Sequence, residues 1–144
     1  MANIRILIGD DHKILREGLK SLLQKEDYLE VVGEAATGAD TVHLAAEHNP
    51  DVIIMDISMP GLNGVEATRQ ILEATPGVKI VGLSIHSSRR FVVEILRAGA
   101  VGYVLKENAF EELVQAIRTV MRGHTYLSPQ VTDLVRKDYL SQLA

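Results

Sequence analysis

Residues 52–67 read VIIMDISMPGLNGVEA. Four apolar residues run into a single acid, Asp56, then into the turn dipeptide Pro60-Gly61, then into Asn63 with Glu66 three positions on. An apolar run this short suits a strand buried on both faces rather than a helix. Asn63 and Glu66 have the spacing of a helix capping box. The unit is therefore strand, polar loop, helix, and it recurs. Comparable runs stand at Ile4–Ile8, Val31–Gly33, Lys79–Leu83 and Val101–Leu105. Between them the spacing turns helical. Leu15, Leu19, Leu22 and Leu23 share a face, as do Phe110, Leu113, Val114, Ile117, Val120 and Met121. Thr37 with Asp40 and Asn108 with Glu111 supply further helix starts, and Gly99 stands where the fourth helix should stop. Five alternations predict an α/β fold: a doubly wound, flavodoxin-like (βα)5 domain with a parallel five-stranded sheet in the order 2-1-3-4-5 and right-handed crossovers.

Composition narrows what such a domain does. The chain has 144 residues, a one-domain length, with 47% hydrophobic and 24% charged residues. It carries 15 Lys and Arg against 19 Asp and Glu, a net charge of −4, which argues against a nucleic-acid-binding module. It has no cysteine, which excludes disulfides, thiol catalysis and Cys-ligated zinc. Asp10-Asp11 ends the only apolar run near the N-terminus, so neither a signal peptide nor a membrane span is expected. The expectation is a soluble, cytoplasmic protein. The alternating pattern ends near Gly123. Beyond it Ser128-Pro129 reads as a helix start, and Val131, Leu134, Val135 and Tyr139 give a short helix one apolar face. Residues 1–123 are thus read as the domain, and the charge-neutral residues 124–144 as a partly helical linker.

The polar residues gather where the runs end. The first ends in Asp10-Asp11, the third in Asp56, the fourth in Ser84 and the fifth in Lys106. Open parallel sheets bind ligands outside these carboxyl ends, and in the expected order the four strands are neighbours. Three carboxylates drawn together need a cation to stay ionised. An oxygen-only set suits Mg²⁺, which keeps waters and shares phosphate oxygens. A lysine and a hydroxyl facing that ion are what a transferring phosphoryl group requires. Asp56, alone at the end of the middle strand, is the candidate nucleophile, and its attack on phosphorus would give an aspartyl phosphate.

These residues carry a resemblance. Asp10-Asp11, Asp56 followed by Met59-Pro60-Gly61 and Gly64, Ser84, and Tyr103 three residues before Lys106 together resemble the receiver domain of bacterial two-component response regulators, over roughly residues 3–123. The stretches DDHKILREGL, MDISMPGLNGVEA, GAVGYVLKE and TYLSP are similar to the NarL/FixJ (LuxR-type) branch. The resemblance implies that Asp56 accepts phosphate from a sensor histidine kinase, and that Asp10, Asp11, Asp56 and the Ser58 backbone carbonyl hold Mg²⁺. Lys106 would pair with the phosphoryl group, Ser84 would move toward it, and Tyr103 would turn inward as the switch aromatic. It further implies a helix-turn-helix output domain after the linker, with DNA reached only through that domain, and a homodimer on phosphorylation.

Some positions depart from the pattern. Gly9 before the acids is expected to loosen the turn, and Glu107 stands where many receivers have proline after the lysine. Ile85 is bulkier than the small residue common after Ser84, and is expected to shield the phosphoryl group from water. His12 and His86 read as exposed loop residues beside the pocket. Taken singly, each acid could be a helix cap, Lys106 a solvated charge and Tyr103 a core residue. Together at four adjacent strand ends, these plain readings do not combine well. Competing functions stay open: a free-standing receiver, an aspartyl-phosphate phosphohydrolase, and a flavin-type module. The phosphohydrolase would need an Asp-x-Asp loop after the first strand; the flavin module's phosphate would be repelled by Asp10-Asp11.

Overall fold

A strand buried on both faces has no polar side, so each of its residues must find an apolar helix above or below the sheet. The computed structural model, which describes residues 3–143, meets that requirement with a fully parallel sheet. Its strands are β1 (Ile4–Gly9), β2 (Leu29–Ala35), β3 (Val52–Asp56), β4 (Lys79–Ser84), β5 (Gly102–Leu105) and β6 (Tyr126–Leu127). The helices are α1 (Lys13–Gln24), α2 (Gly38–His48), α3 (Gly64–Ala74), α4 (Arg89–Arg97), α5 (Ala109–Met121) and α6 (Pro129–Leu143). The strand order is β2-β1-β3-β4-β5-β6. The expected order of five is present, and a two-residue sixth strand extends it at the β5 edge.

Alternation along each strand divides the core in two. Leu7, Ile53, Met55, Ile80 and Tyr103 pack with Ala67 and Ile71 of α3 and with Val92 and Ile95 of α4. Ile6, Ile8, Ile54, Val81, Leu83 and Val104 pack with Leu19 and Leu23 of α1 and Leu113 and Ile117 of α5. Thr37 and Asn63 cap their helices as the sequence suggests, accepting from the amides of Asp40 and Glu66 at 3.1 and 2.9 Å. Gly99, at φ 113°, follows the end of α4.

Three expectations are corrected. Asn108 makes no side-chain cap. The chain leaves β5 directly into a 3-10 turn, Lys106–Asn108, that runs on into α5. This holds Asn108 at φ −112° and ψ 6°, away from the extended conformation a capping residue needs. Phe110 and Met121, read as part of the buried stripe of α5, are 48% and 38% exposed and lie at its margin. The C-terminal helix spans 15 residues rather than a single short stretch, and Tyr139 on its expected apolar face is 61% exposed.

The segment expected as a linker is tied to the sheet edge. The Ser128 amide donates to the Tyr103 carbonyl at 2.9 Å. The buried Ser128 hydroxyl accepts from the Leu105 amide at 3.1 Å and donates to Glu112 at 2.9 Å. Tyr126 donates to the same carboxylate at 2.8 Å. Burial first, then the Glu112 hydrogen bond and charge, push its phenol up to about 12. From there α6 crosses α4, burying Val131, with Arg89 paired to Asp138. A cleft of about 130 Å³ between the two helices is lined by Val92, Val93, Leu96, Leu134 and Val135. Met1, Ala2 and Ala144, the outer residues of the two expected segments, lie outside the described residues.

The loop after β3 depends on Gly64, the first residue of α3. A Cβ there would stand 2.2 Å from the Asp56 carbonyl oxygen and 2.6 Å from Ile57 Cα, both backbone. We predict that Gly64→Ala lowers stability by about 1–3 kcal/mol in urea unfolding, because backbone cannot rotate aside as a side chain can. An unchanged midpoint would show that the loop yields freely.

Candidate functional site

Parallel register brings the strand ends into step. Gly9 lies opposite Met55, Asp56 opposite Leu83, and Ser84 opposite Leu105. Asp10, Asp56, Ser84 and Lys106 therefore emerge along one edge of the sheet. Gly9 does not loosen the turn. It is a strand residue packed so closely on α2 that a Cβ would lie 2.5 Å from Thr41 Oγ1. Asp10 is fixed by its amide, which donates to the Ala35 carbonyl at 2.9 Å, and by Arg16, which donates to the Asp10 carbonyl at 2.7 Å. Its Oδ1 accepts from the His12 amide at 2.7 Å.

Asp10 and Asp56 are both fully buried. Asp56 Oδ1 accepts from the Ser58 amide at 3.0 Å. Lys106 Nζ stands 3.2 Å from Oδ2 of Asp56 and 3.2 Å from Oδ2 of Asp10. These are ion-pair distances, but neither Oδ2 has an aligned hydrogen-bond donor among the described residues. Asp11 is partly exposed beside them, and Ser58 is exposed on the loop after β3. Ligand atoms of Asp10, Asp11, Asp56 and His12 lie within 4.8 Å of one another. Buried carboxylate oxygens with unused lone pairs, clustered so tightly, fit a divalent cation.

The electrostatics give the same result. Burial, the largest influence, raises the Asp56 carboxyl from its ordinary 3.8 to about 6. The Ser58 amide lowers it, the Asp10 charge raises it, Lys106 lowers it, and Asp11 raises it. One ammonium thus only partly offsets the neighbouring acids.

The second half of the site lies at the ends of β4 and β5. Ser84 is buried, and its hydroxyl accepts from the His86 amide at 2.9 Å. Tyr103, expected to turn inward on switching, already stands inside: it is fully buried and donates to the His86 carbonyl at 2.6 Å. Burial raises its phenol above the ordinary value, and Ser84 partly opposes this. The His86 ring stacks on Phe91 with centroids 4.2 Å apart. Ile85 points outward and is 71% exposed. Sequence reasoning undervalued two residues. His86 joins Ser84 to Tyr103 through its backbone, which no side-chain pattern reveals. His12 is 63% exposed yet places Nδ1 3.0 Å from Asp10 and 3.2 Å from Asp11; its position directly after the two acids was the available signal.

Comparison with known proteins agrees with this geometry. Residues 6–118 match the model of the response regulator receiver domain. The transcriptional regulatory protein DegU of Brevibacillus brevis is 45% identical over 136 residues, covering 94% of this chain and 58% of DegU. The response regulator GacA of Pseudomonas viridiflava is 41% identical over 141 residues, covering 97% of this chain and 66% of GacA. The chain therefore spans about three-fifths to two-thirds of these relatives' length. A LuxR-family two-component response regulator from Aurantimonas sp. SI85-9A1 superposes at a TM-score of 0.91 with 34% identity, covering 96% of this chain and 99% of that one.

The raised Asp56 carboxyl sets a pH dependence. The folded chain holds the Asp56 proton more firmly than the unfolded chain does. The group's favourable contribution is complete below about pH 4 and is lost as pH rises toward about 6. We predict that Asp56→Asn is the more stable protein above that window in metal-free buffer, by about 1–3 kcal/mol. Urea unfolding at a series of pH values should show the gap closing toward pH 4. A gap independent of pH would contradict the burial assigned to Asp56.

Proposed function

The chain belongs to the response regulator receiver family, and from that premise we propose that Asp56 is its phosphoacceptor, charged by a sensor histidine kinase. The observation that carries this reading is Asp56 Oδ2: buried, without an aligned donor, and 3.2 Å from Lys106 Nζ. An acceptor-only oxygen in that state is a nucleophile with its lone pair free. In the proposed transfer Oδ2 forms a bond to phosphorus while the bond from phosphorus to the kinase's imidazole nitrogen breaks. The departing nitrogen keeps the electron pair and, with the ring's other nitrogen already protonated, leaves as a neutral imidazole, while Asp56 becomes an aspartyl phosphate.

Asp10, Asp11, Asp56 and the Ser58 backbone carbonyl would hold Mg²⁺. The ion would supply charge neutralisation for the carboxylates and the phosphoryl oxygens. Lys106, only 10% exposed, stands ready to exchange its carboxylate neighbours for a phosphoryl oxygen. The Ser58 amide orients Asp56 by holding Oδ1 and leaving Oδ2 toward Lys106. Ser84 would donate its hydroxyl proton to the phosphoryl group. That movement would pull on the His86 amide it now accepts from, and through the His86 carbonyl on Tyr103. The switch is thus a local charge change read by a buried hydroxyl.

The reading is of a signalling domain that takes up and loses one phosphoryl group, not of a turnover enzyme. Residues 1–123 would form the phosphoacceptor unit and 124–144 the link to an output. DegU is described as a transcriptional regulator, which supports transcription as that output, with DNA contacted only through a further helix-turn-helix domain. Phosphorylation would favour a homodimer. No helix among the described residues is long and apolar enough to cross a membrane, in keeping with a cytoplasmic role beside the kinase.

Incubation with Mg²⁺ and acetyl phosphate, followed by intact mass measurement, should show a gain of one phosphoryl group that is absent in Asp56→Asn. Gain in the variant, or multiple turnover of phosphate esters, would overturn the reading. Ile85 follows Ser84 directly, and we propose that its side chain slows water's approach to the phosphoryl group. Ile85→Ala should then lose the phosphoryl group several-fold faster by the same measurement, and an unchanged decay would remove Ile85 from the site.

A further inference from the structure

Strand β2 supplies no residue to the acidic cluster, yet its end reaches the cluster through one side chain of α1. Arg16 lies within DDHKILREGL, the stretch that begins with the two acids. Its guanidinium donates to the Asp10 carbonyl at 2.7 Å. Its Nε stands 3.4 Å from Oε1 of Glu34, which lies opposite Ile8 near the end of β2. The second Glu34 oxygen faces Lys20 Nζ at 3.4 Å. The Arg16 and Glu34 side chains are 15% and 26% exposed, so the pair is better shielded than a surface salt bridge.

The Asp10 carbonyl belongs to the peptide that joins Asp10 to Asp11. Holding that peptide plane fixes the backbone on both sides of it, and so the directions in which both carboxylates leave the chain. Asp10 is fully buried, so losing Arg16 would leave a buried carbonyl without its donor. The Asp10 amide is held from β2, by the Ala35 carbonyl at 2.9 Å. The two acids are thus clamped between β2 and α1. A planar guanidinium suits this task, because it offers one nitrogen to the carbonyl and another to Glu34 in fixed directions. The sign of its charge separates holding from attraction. A cation behind an acidic cluster opposes a second cation in front of it, so as a charge alone Arg16 would weaken metal binding.

We propose that Arg16, oriented by Glu34, is a positioning residue of the phosphoacceptor site: through the Asp10 carbonyl it aims the Asp10–Asp11 pair at the divalent cation. The inference rests on the phosphoacceptor reading above for the presence of that cation. Arg16 acts from outside the acidic cluster, and Glu34 acts only through Arg16. Losing either residue misaligns two metal ligands at once, while Asp56, on a different strand, keeps its place.

Mg²⁺ is the probe, titrated into the full chain and followed through its amide resonances. Arg16→Gln should weaken Mg²⁺ binding by about tenfold or more, the loss typical when an outer-shell partner of a ligand is removed. Charge alone would give the opposite sign. Arg16→Lys, which keeps the charge but not the fork, should also weaken binding, and it decides the matter if Arg16→Gln does not fold. Glu34→Gln should weaken binding in the wild type and change it little in the Arg16→Gln background, because the two act as one unit. Hydrogen exchange in metal-free buffer gives a second readout. The Asp10 and His12 amides should exchange several-fold faster in the Arg16 variants, while the amides of β3 and β4 keep their protection. Tighter or unchanged Mg²⁺ binding in the Arg16 variants, or losses from Arg16 and Glu34 that simply add, overturns the inference and leaves the phosphoacceptor reading standing. A wild-type chain that takes up no Mg²⁺ at the strand ends overturns both.

Discussion

Asp10 and Asp56 are buried with one oxygen each facing a single ammonium. Two buried carboxylates held this close repel, and the single charge of the lysine that touches both only partly offsets them. The rest of the molecule maintains that arrangement. Parallel strands in fixed register bring the acids side by side, and two apolar layers keep water from their backs. The Ser58 amide fixes one oxygen of Asp56 and leaves the other free. The arrangement is costly in its own terms, and it is relieved by a cation and a group that can spread negative charge. Binding chemistry follows from that imbalance.

The strand ends were legible because each is a local event: an apolar run that stops at a polar residue. Asp10, Asp11, Asp56, Ser84 and Lys106 could be placed by counting, once the alternation of strand and helix suggested a sheet order. Helix caps at Thr37 and Asn63 were legible for the same reason, since a cap is settled within four residues. Asn108 has the same local pattern and fails, because the 3-10 turn after β5 takes its place. The sixth strand and the path of α6 were not legible. They depend on Ser128 meeting both β5 and Glu112, partners more than a dozen residues away. His12 and His86 were legible as loop residues beside the pocket, but their contacts were not, because one turns its ring toward the acids and the other works through its backbone.

Tyr103, one of the two proposed switch residues, is hydrogen-bonded both to the loop after β4 and to the residue that begins the path into α6. Its hydroxyl donates to the first, and its carbonyl accepts from Ser128 in the second. Helix α6 then rests on α4 through Leu134 and Val135 and the pair of Arg89 with Asp138. In the proposed transfer, a displacement of Ser84 toward a phosphoryl group would act on residues that also position α6, so a change at one carboxylate would reach that helix without a long wire of intermediates.

The most direct test is to locate the phosphoryl group chemically. Borohydride reduces an acyl phosphate but not a phosphoserine or a phosphohistidine, and tandem mass spectrometry of the digested protein then identifies the altered residue. Reduction confined to Asp56, in the peptide that begins the loop after β3, is the predicted result. A phosphoryl group found on Asp10, on Asp11, on Ser84 or on any histidine would contradict the assignment of Asp56 as the acceptor.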